Sequence, residues 1–243
     1  MSAPRLLAID AATDTVHLGL WCSSGVHTRA LPGGAQASAQ LLPMIRNLLD
    51  EAGLRLAELQ AVAFGRGPGA FTGLRTACSV AQGLAVGIGC PVLALDTLAA
   101  VAQSAARRAQ LDRPGTRICS ATDARMGEVY AACWERDAQG GWTALEPPAL
   151  LKPPALRTLL NRHGGLAAGN AWALPAVRDE GAPDAACDPD AVPDGQALAA
   201  LARVEWRAAR TLDPALALPL YVRDKVAQTT AEREAARTAA AAA

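Results

Sequence analysis

The most regular pattern of apolar and polar positions lies in the middle of the first half of the chain. Residues 61–64 are a short apolar run, which predicts a strand covered on both faces. The glycine-rich residues 65–69 cannot continue a strand or a helix, so they predict a turn. Thr72 is the expected N-cap of a helix that runs to about Gly87 or Gly89, and residues 92–95 form the next apolar run. The pattern therefore predicts a strand–turn–helix–strand unit.

The predicted helix has two different faces. One carries apolar residues at helical spacing, which is typical of a side that faces the core: Leu74, Ala77, Ala81, Leu84 and Ile88. The other carries Thr76, Val80, Gly83 and Gly87. A glycine inside a helix costs roughly 1 kcal/mol relative to alanine, so we expect another backbone to approach this face closely. That backbone belongs either to the same chain or to a second protein, and the sequence leaves both possibilities open.

Three strands and a helix are expected before this unit. Residues 5–9, 16–22 and 26–30 predict an antiparallel meander. Residues 38–52 predict a helix whose main apolar stripe is widened by Leu42 and Met44 beyond what one packing face needs. A further helix is expected after the unit, over residues 97–108.

The second half starts near residue 113 and has a less regular pattern. It predicts strands at 117–122, 128–135, 142–145 and 166–168, and helices at 155–162 and 196–210. The proline pairs at 147–148 and 153–154 predict a loop between them. Residues 216–222 predict a final strand or an extended packing segment, and residues 229–243 predict a frayed tail.

Composition limits the class of protein. The 243 residues contain no apolar run long enough to span a bilayer, and the first residues lack signal-peptide organisation. Basic and acidic residues number 23 each, which argues against a free-standing nucleic-acid binder. The six cysteines include no C-x-x-C pair, so we expect small buried hydrophobes in a reducing compartment, which indicates the cytoplasm.

Candidate chemistry is sparse. The three histidines are not spaced as metal ligands on one helix, and no nucleophile elbow or P-loop is present. Gly65, Gly67 and Ala70, with Asp96 after the next strand, match the dinucleotide-binding fingerprint. Pro68 argues against that site, because it removes a backbone N–H from the loop that should bind pyrophosphate.

Two turns carry charged side chains. Asp10 and Thr13 follow the first strand, where actin-like ATPases and sugar kinases place an acid of the phosphate loop. Asp123 and Arg125 lie in the corresponding turn of the second half. Each turn also has a structural interpretation, since aspartate side chains commonly bond to the backbone of their own turn and Asp123 could simply pair with Arg125.

Several segments resemble the TsaB family, in the same order and over about residues 5–224. They are LAIDAAT at residues 7–13, LLPMIRNLL, GRGPGAFTGLRTACSVAQGLAVG, TDARMGEVYAA and PLYVRD. The most specific block contains Gly67, Pro68, Gly69, Phe71, Thr72, Gly73 and Arg75. The resemblance implies an α/β protein of the actin-like (ASKHA) fold, with two subdomains of related βββαβαβα topology at residues 1–110 and 111–210. Residues 211–224 are then expected to pack back on the first subdomain.

The resemblance also implies that the chain has no catalytic activity of its own. The family is the partner of TsaD, which makes threonylcarbamoyladenosine on transfer RNA and binds a metal through histidines on its first long helix. The matching stretch here offers no histidine, and Ala37 stands where relatives often carry one. We therefore expect no metal and no tightly bound cofactor on this chain, with ATP and metal used by the partner subunits.

Pairing through the first two helices is the interface that the resemblance implies. The candidate interface residues are Leu41, Leu42, Ile45, Leu49, Thr76, Val80, Gly83 and Gly87. TsaD is the expected partner, TsaE is expected to join the heterodimer, and the chain alone is expected to form a homodimer. Transfer RNA is expected to be contacted only through the complex, and no membrane is expected to be involved. The alternative is an actin-like ATPase or small-molecule kinase that holds Mg-ATP between Asp10 and Asp123.

Overall fold

The computed structural model describes residues 3–34, 37–179 and 185–223. The first five strands form one mixed sheet in the order β3-β2-β1-β4-β5, in which β1 is antiparallel to β2 and parallel to β4. These strands are β1 (Leu6–Asp10), β2 (Thr15–Cys22), β3 (Gly25–Pro32), β4 (Ala61–Gly67) and β5 (Val92–Asp96). The tail predicted over residues 229–243 lies outside the described residues.

The second sheet repeats the topology of the first. Its order is β8-β7-β6-β9-β10, with β6 antiparallel to β7 and parallel to β9. The strands are β6 (Arg117–Arg125), β7 (Glu128–Arg136), β8 (Trp142–Leu151), β9 (Leu166–Ala168) and β10 (Cys187–Asp188). The helices are α1 (Ala37–Glu51), α2 (Phe71–Ile88), α3 (Thr97–Arg108), α4 (Pro153–His163), α5 (Pro175–Arg178) and α6 (Gly195–Arg207). Both halves therefore follow the predicted βββαβαβα order, and the second-half strand order, which the sequence left open, matches the first.

Two helices lie between the sheets and the others cover the outer faces. Every residue of α3 from Thr97 to Ala106 is buried, and α3 packs against α6. Successive side chains of a strand point to opposite faces, so Leu6 and Ala8 of β1 face this central layer while Leu7 and Ile9 face α1 and α2. Because both faces are covered, the central strands read as continuous apolar runs.

The loop predicted between the two proline pairs is wrong. Strand β8 continues through Pro147 and Pro148 to Leu151. It is an edge strand, and the register of its pairing with β7 shifts between Ala131 and Cys133, opposite these prolines. A proline lacks the N–H that a central strand would need, but it is tolerated at an edge and at such an irregularity.

The prediction that the cysteines are unpaired buried hydrophobes is wrong for one pair. Cys119 of β6 and Cys133 of β7 face each other across the sheet, with Cα atoms 4.2 Å apart, and are joined by a disulfide. Directly opposite residues of antiparallel strands approach this closely, but the pairing could not be read from cysteines 14 residues apart in the sequence. The free cysteines Cys22 and Cys78 are buried as expected, and Cys187 is exposed.

Helix α6 packs against the sheet of the first half, although its residues were assigned to the second subdomain. It lies in residues 111–210 but packs against β1 and β2 of the first sheet. Residues 211–223 form no strand and follow the first half as an extended segment, apart from one 3₁₀ turn. Leu212 bridges the edge strand at Val92, and the carbonyl of Ala217 accepts a hydrogen bond from Gln82 of α2.

Shortening a side chain in the central layer should strongly destabilise the fold. Leu98 of α3 is fully buried between the sheets, so we expect Leu98→Ala to lower the free energy of unfolding by about 2–5 kcal/mol, through lost apolar burial and the cavity left behind. Urea denaturation measures the change. Leu56, on a surface turn and 39% exposed, is the matched control, and Leu56→Ala should cost clearly less. Equal losses for the two variants would contradict the central position of α3.

Candidate functional site

A cleft of about 240 Å³ opens where the turns of the two halves meet. Its walls are the β1–β2 turn, the β4–α2 loop, the β6–β7 turn and residues 220–223. Four of the motifs that carry the family resemblance, LAIDAAT, GPGAFTGLR, TDARMGEVYAA and PLYVRD, meet at this cleft although they are far apart in the sequence. The cleft is therefore a candidate functional site.

The glycine-rich block forms the β4–α2 loop. Gly67 ends β4 and is followed by a cis peptide bond to Pro68. Helix α2 begins at Phe71 with Ala70 as its N-cap, so the prediction of Thr72 as the N-cap is wrong. Thr72 lies in the first turn, where it is exposed.

Close backbone approach explains the glycines at the start of α2. A Cβ added to Gly73 would lie 1.8 Å from the carbonyl oxygen of Ala11, and one added to Gly69 would lie 2.5 Å from Ala12. Contacts this short to backbone atoms are not possible for a side chain. The loop can therefore rest on the β1–β2 turn only if both positions are glycine.

A short segment, which we call the strap (residues 217–223), runs across the cleft from the first half. The ring of Tyr221 packs on Phe71 with centroids 5.2 Å apart, and its hydroxyl accepts a hydrogen bond of 3.1 Å from Nε of Arg75. The Arg75 guanidinium also lies 3.9 Å from the centroid of the Phe71 ring. The backbone N–H of Leu220 donates to the carbonyl of Arg66 at 2.7 Å.

The strap ends on the second half. Arg223 donates to the carbonyl of Ala124 at 2.9 Å and forms an ion pair of 2.9 Å with Glu128. Ala124 and Glu128 both belong to the β6–β7 hairpin. The strap therefore joins the two halves across the cleft, a contact that its PLYVRD motif did not reveal in the sequence.

Asp10 does not line the cleft. Its side chain is fully buried, and its carboxylate accepts hydrogen bonds from the backbone N–H of Ala12 at 2.8 Å and from the hydroxyl of Thr97 at 2.7 Å. Burial raises the pKa of Asp10 to about 6, and the two hydrogen bonds act in the opposite direction. Thr13 donates to the carbonyl of Thr15 at 2.9 Å. The first turn is thus held by its own side chains, as the structural interpretation predicted.

Asp123 and Arg125 form the ion pair that sequence analysis considered. The Arg125 backbone N–H donates to Asp123 at 2.7 Å, and its guanidinium contacts the same carboxylate at 3.1 Å. Arg125 also reaches across the cleft to Asp14, at 2.8 Å. These two turns occupy equivalent places in the repeated topology, so this contact joins the halves a second time.

Asp96, the acidic residue of the dinucleotide-binding fingerprint, is paired with an arginine. Asp96 accepts two hydrogen bonds, of 2.9 and 3.2 Å, from the guanidinium of Arg66. The acidic residue of the fingerprint is thus engaged by a cation of the same chain. Together with Pro68 in the loop, this contact argues against a dinucleotide at this position.

The structure corrects part of the predicted interface on α1. Leu41, Ile45 and Leu49 are at most 3% exposed and pack on the outer face of the first sheet, so they offer no surface to a second protein. Leu42 is 53% exposed. The periodicity located an apolar stripe correctly, but it did not separate the part of the stripe that the core uses from the part that remains outside.

The predicted small-residue face of α2 is exposed. Gly83 and Gly87 are exposed, and a Cβ added to either would meet no atom within 4 Å. Packing within the described chain therefore does not explain these glycines. Thr76 and Val80 are half-buried, while Val86, which sequence analysis did not single out, is 69% exposed.

None of the helices within residues 3–34, 37–179 and 185–223 is long and apolar enough to cross a membrane. Nor do these ranges bring together three or more histidine, cysteine, aspartate or glutamate side chains that could hold a metal ion.

The buried Asp10 should make stability depend on pH. Its raised pKa means that the folded state binds the proton more tightly, so this group stabilises the fold below the unfolded value of 3.8 and that contribution is lost as the pH rises through about 6. Asp10→Asn removes the titration. We expect the unfolding free energy of the variant, relative to wild type, to rise by up to about 3 kcal/mol from acid to neutral pH. Urea titrations at several pH values test this, with the exposed Asp14→Asn as control, and a difference independent of pH would contradict it.

A family model and two named relatives match this chain over most of its length or a large part of it. The family model described as TsaD, tRNA N6-adenosine threonylcarbamoyltransferase, matches residues 32–163. The tRNA threonylcarbamoyladenosine biosynthesis protein TsaB of Escherichia coli (strain K12) is 38% identical over 170 residues, which are 69% of this chain and 72% of that protein. The protein of the same name from Haemophilus influenzae is 30% identical over 229 residues, covering 91% of this chain and 94% of its own length.

A solved structure gives the same result for the fold. YeaZ from Pseudomonas aeruginosa has a TM-score of 0.79 at 35% identity, and the match covers 90% of this chain and 99% of that one. These matches and the two repeated sheets confirm the actin-like fold that the resemblance implied. The chain belongs to the TsaB family.

Proposed function

We propose that this chain serves the biosynthesis of threonylcarbamoyladenosine on transfer RNA as a non-catalytic subunit that binds and supports TsaD. Membership of the TsaB family supports the role in this modification. The finer proposal, a binding subunit rather than an enzyme, depends mainly on one observation, which is the exposed glycine face of α2.

Glycine at two exposed positions of one helix needs an explanation. Each costs roughly 1 kcal/mol relative to alanine, and neither Gly83 nor Gly87 has an atom of the described chain near the position of an added Cβ. A second helix that crosses α2 at these positions could approach its backbone closely. Val86 on α2 and Leu42 on α1, both largely exposed, would then be buried by the same partner. We call Leu42, Gly83, Val86 and Gly87 the docking surface.

The partner assignments follow from the family. TsaD is the partner on the docking surface, TsaE joins the heterodimer, and two copies of this chain pair when TsaD is absent. Transfer RNA is bound by the complex, and ATP and metal are used by the partner subunits, with no tightly bound cofactor on this chain. The complex acts in the cytoplasm.

The competing proposal, an ATPase or small-molecule kinase, lacks support at its key residue. It requires Asp10 beside Mg-ATP, but the Asp10 carboxylate is fully buried and already accepts two hydrogen bonds. Its partner Asp123 is paired with Arg125. Binding of Mg-ATP by the isolated chain at submillimolar concentration, with turnover, would favour the kinase over the binding subunit.

A substitution on the docking surface tests the proposal. Gly83→Leu has open space around its side chain and improves helix propensity, so we expect the variant to fold with at least wild-type stability. The leucine would hold a crossing helix away from α2, so affinity for the cognate TsaD should fall at least about 100-fold, which corresponds to roughly 3 kcal/mol. Calorimetric titration with TsaD measures affinity, and a modification assay on transfer RNA measures the consequence.

The matched control places the same side chain elsewhere. Thr158 is exposed on α4, on the outer side of the second sheet, so Thr158→Leu should bind TsaD as wild type does. Wild-type affinity in a folded Gly83→Leu variant would rule out the docking surface. If wild-type chain and TsaD form no complex, and modification does not depend on this chain, the binding-subunit proposal itself is wrong.

A further inference from the structure

Two hydroxyl-bearing side chains on the wall of the cleft are left unbonded by the described residues of the chain itself. Thr122 and Tyr130 are directly opposite each other on β6 and β7, each is only 8% exposed, and both line the cleft. Within the described part of the chain, neither hydroxyl makes a hydrogen bond. A hydroxyl can both donate and accept, so each is free to bond to water or to a molecule that enters the cleft. This pair on the cleft wall therefore indicates a position for polar atoms of a ligand.

The charges around the cleft already neutralise one another. Arg125 is paired with Asp14 and Asp123, and Arg223 is paired with Glu128. The charged side chains that line the cleft, Asp14, Asp123, Arg125 and Arg223, are therefore all paired and leave no free charge for a strongly charged ligand. The electrostatics therefore favour an uncharged ligand and argue against a nucleoside triphosphate.

The size and the lining of the cleft narrow the class of ligand further. Its volume of about 240 Å³ is below the roughly 300–1,000 Å³ of clefts that take drug-sized ligands. Phe71 and Tyr221 also line it, with their rings packed at a tilt of 36°. Aromatic rings favour flat partners that stack or meet ring edges. A small flat molecule with polar atoms on its edge fits these features.

We propose that the cleft binds an uncharged, nucleobase-sized heterocycle. The hydroxyls of Thr122 and Tyr130 bond to polar atoms on its edge, since each can donate and accept. The rings of Phe71 and Tyr221 contact its apolar body. This site is separate from the docking surface, so it does not depend on the proposed pairing with TsaD.

Binding of free nucleobases to the intact chain is the test. Adenine, cytosine and uracil at millimolar concentration are the probes, and ligand-detected NMR with calorimetric titration measures binding. We expect at least one of them to bind the wild-type chain. Tyr130→Phe and Thr122→Val each remove one hydroxyl with little change of shape, so each should weaken that binding about fivefold to tenfold, the effect of one neutral hydrogen bond.

Stability separates a lost ligand contact from a damaged fold. Neither hydroxyl bonds to the described chain, so both variants should keep the wild-type melting temperature in the absence of ligand. The nucleobase that binds the wild-type chain should raise the melting temperature of each variant less than it raises that of wild type. Thr158→Val, on exposed α4, is the control and should bind as wild type does. The proposal is overturned if none of the bases binds the wild-type chain, or if both variants bind as tightly as wild type.

Discussion

The buried carboxylate of Asp10 connects the parts of the first half that the rest of the chain depends on. It ends β1, accepts from the backbone of the first turn at Ala12, and accepts from Thr97 at the first residue of α3. Strand β4 passes so close that a Cβ on Gly65 would lie 1.9 Å from the carboxylate. One side chain therefore sets the positions of the turn, the neighbouring strand and the central helix. Its raised pKa indicates that burial opposes the charged form, so these contacts are kept at a cost in stability.

This arrangement decides what the cleft can do. The turn that Asp10 holds forms one wall, and the equivalent turn with Asp123 and Arg125 forms the opposite wall. Because Asp10 is directed into the protein, the acid that this position could have offered to a metal–phosphate group serves the fold. The strap then closes part of the same cleft through Tyr221 and Arg223, which bond to different halves. The cleft that remains is small, its charged side chains are paired, and part of its lining is aromatic. These features suit binding of a small molecule better than phosphate chemistry.

Sequence patterns predicted the first half well because its strands and helices have clear periods and clear ends. They failed where a tertiary contact overrides local preference. Pro147 and Pro148 signal a loop, but the edge position of β8 tolerates them. The Cys119–Cys133 pair requires the β6–β7 register, which no short spacing reveals. The unpartnered hydroxyls of Thr122 and Tyr130 could not be found either, since only the pairing of the strands and the position of the strap put them in one cleft.

For the exposed glycines of α2, the sequence left two explanations open, and the structure argues against one of them. Periodicity placed Gly83 and Gly87 on one face and could not tell whether their own chain covers them. The open space around both removes packing within the described chain as the reason for them. A monomer gains nothing from two costly residues on a solvated helix, since alanine would stabilise it. The proposed contact with a second chain supplies a reason for them, because a glycine allows another backbone to approach closely.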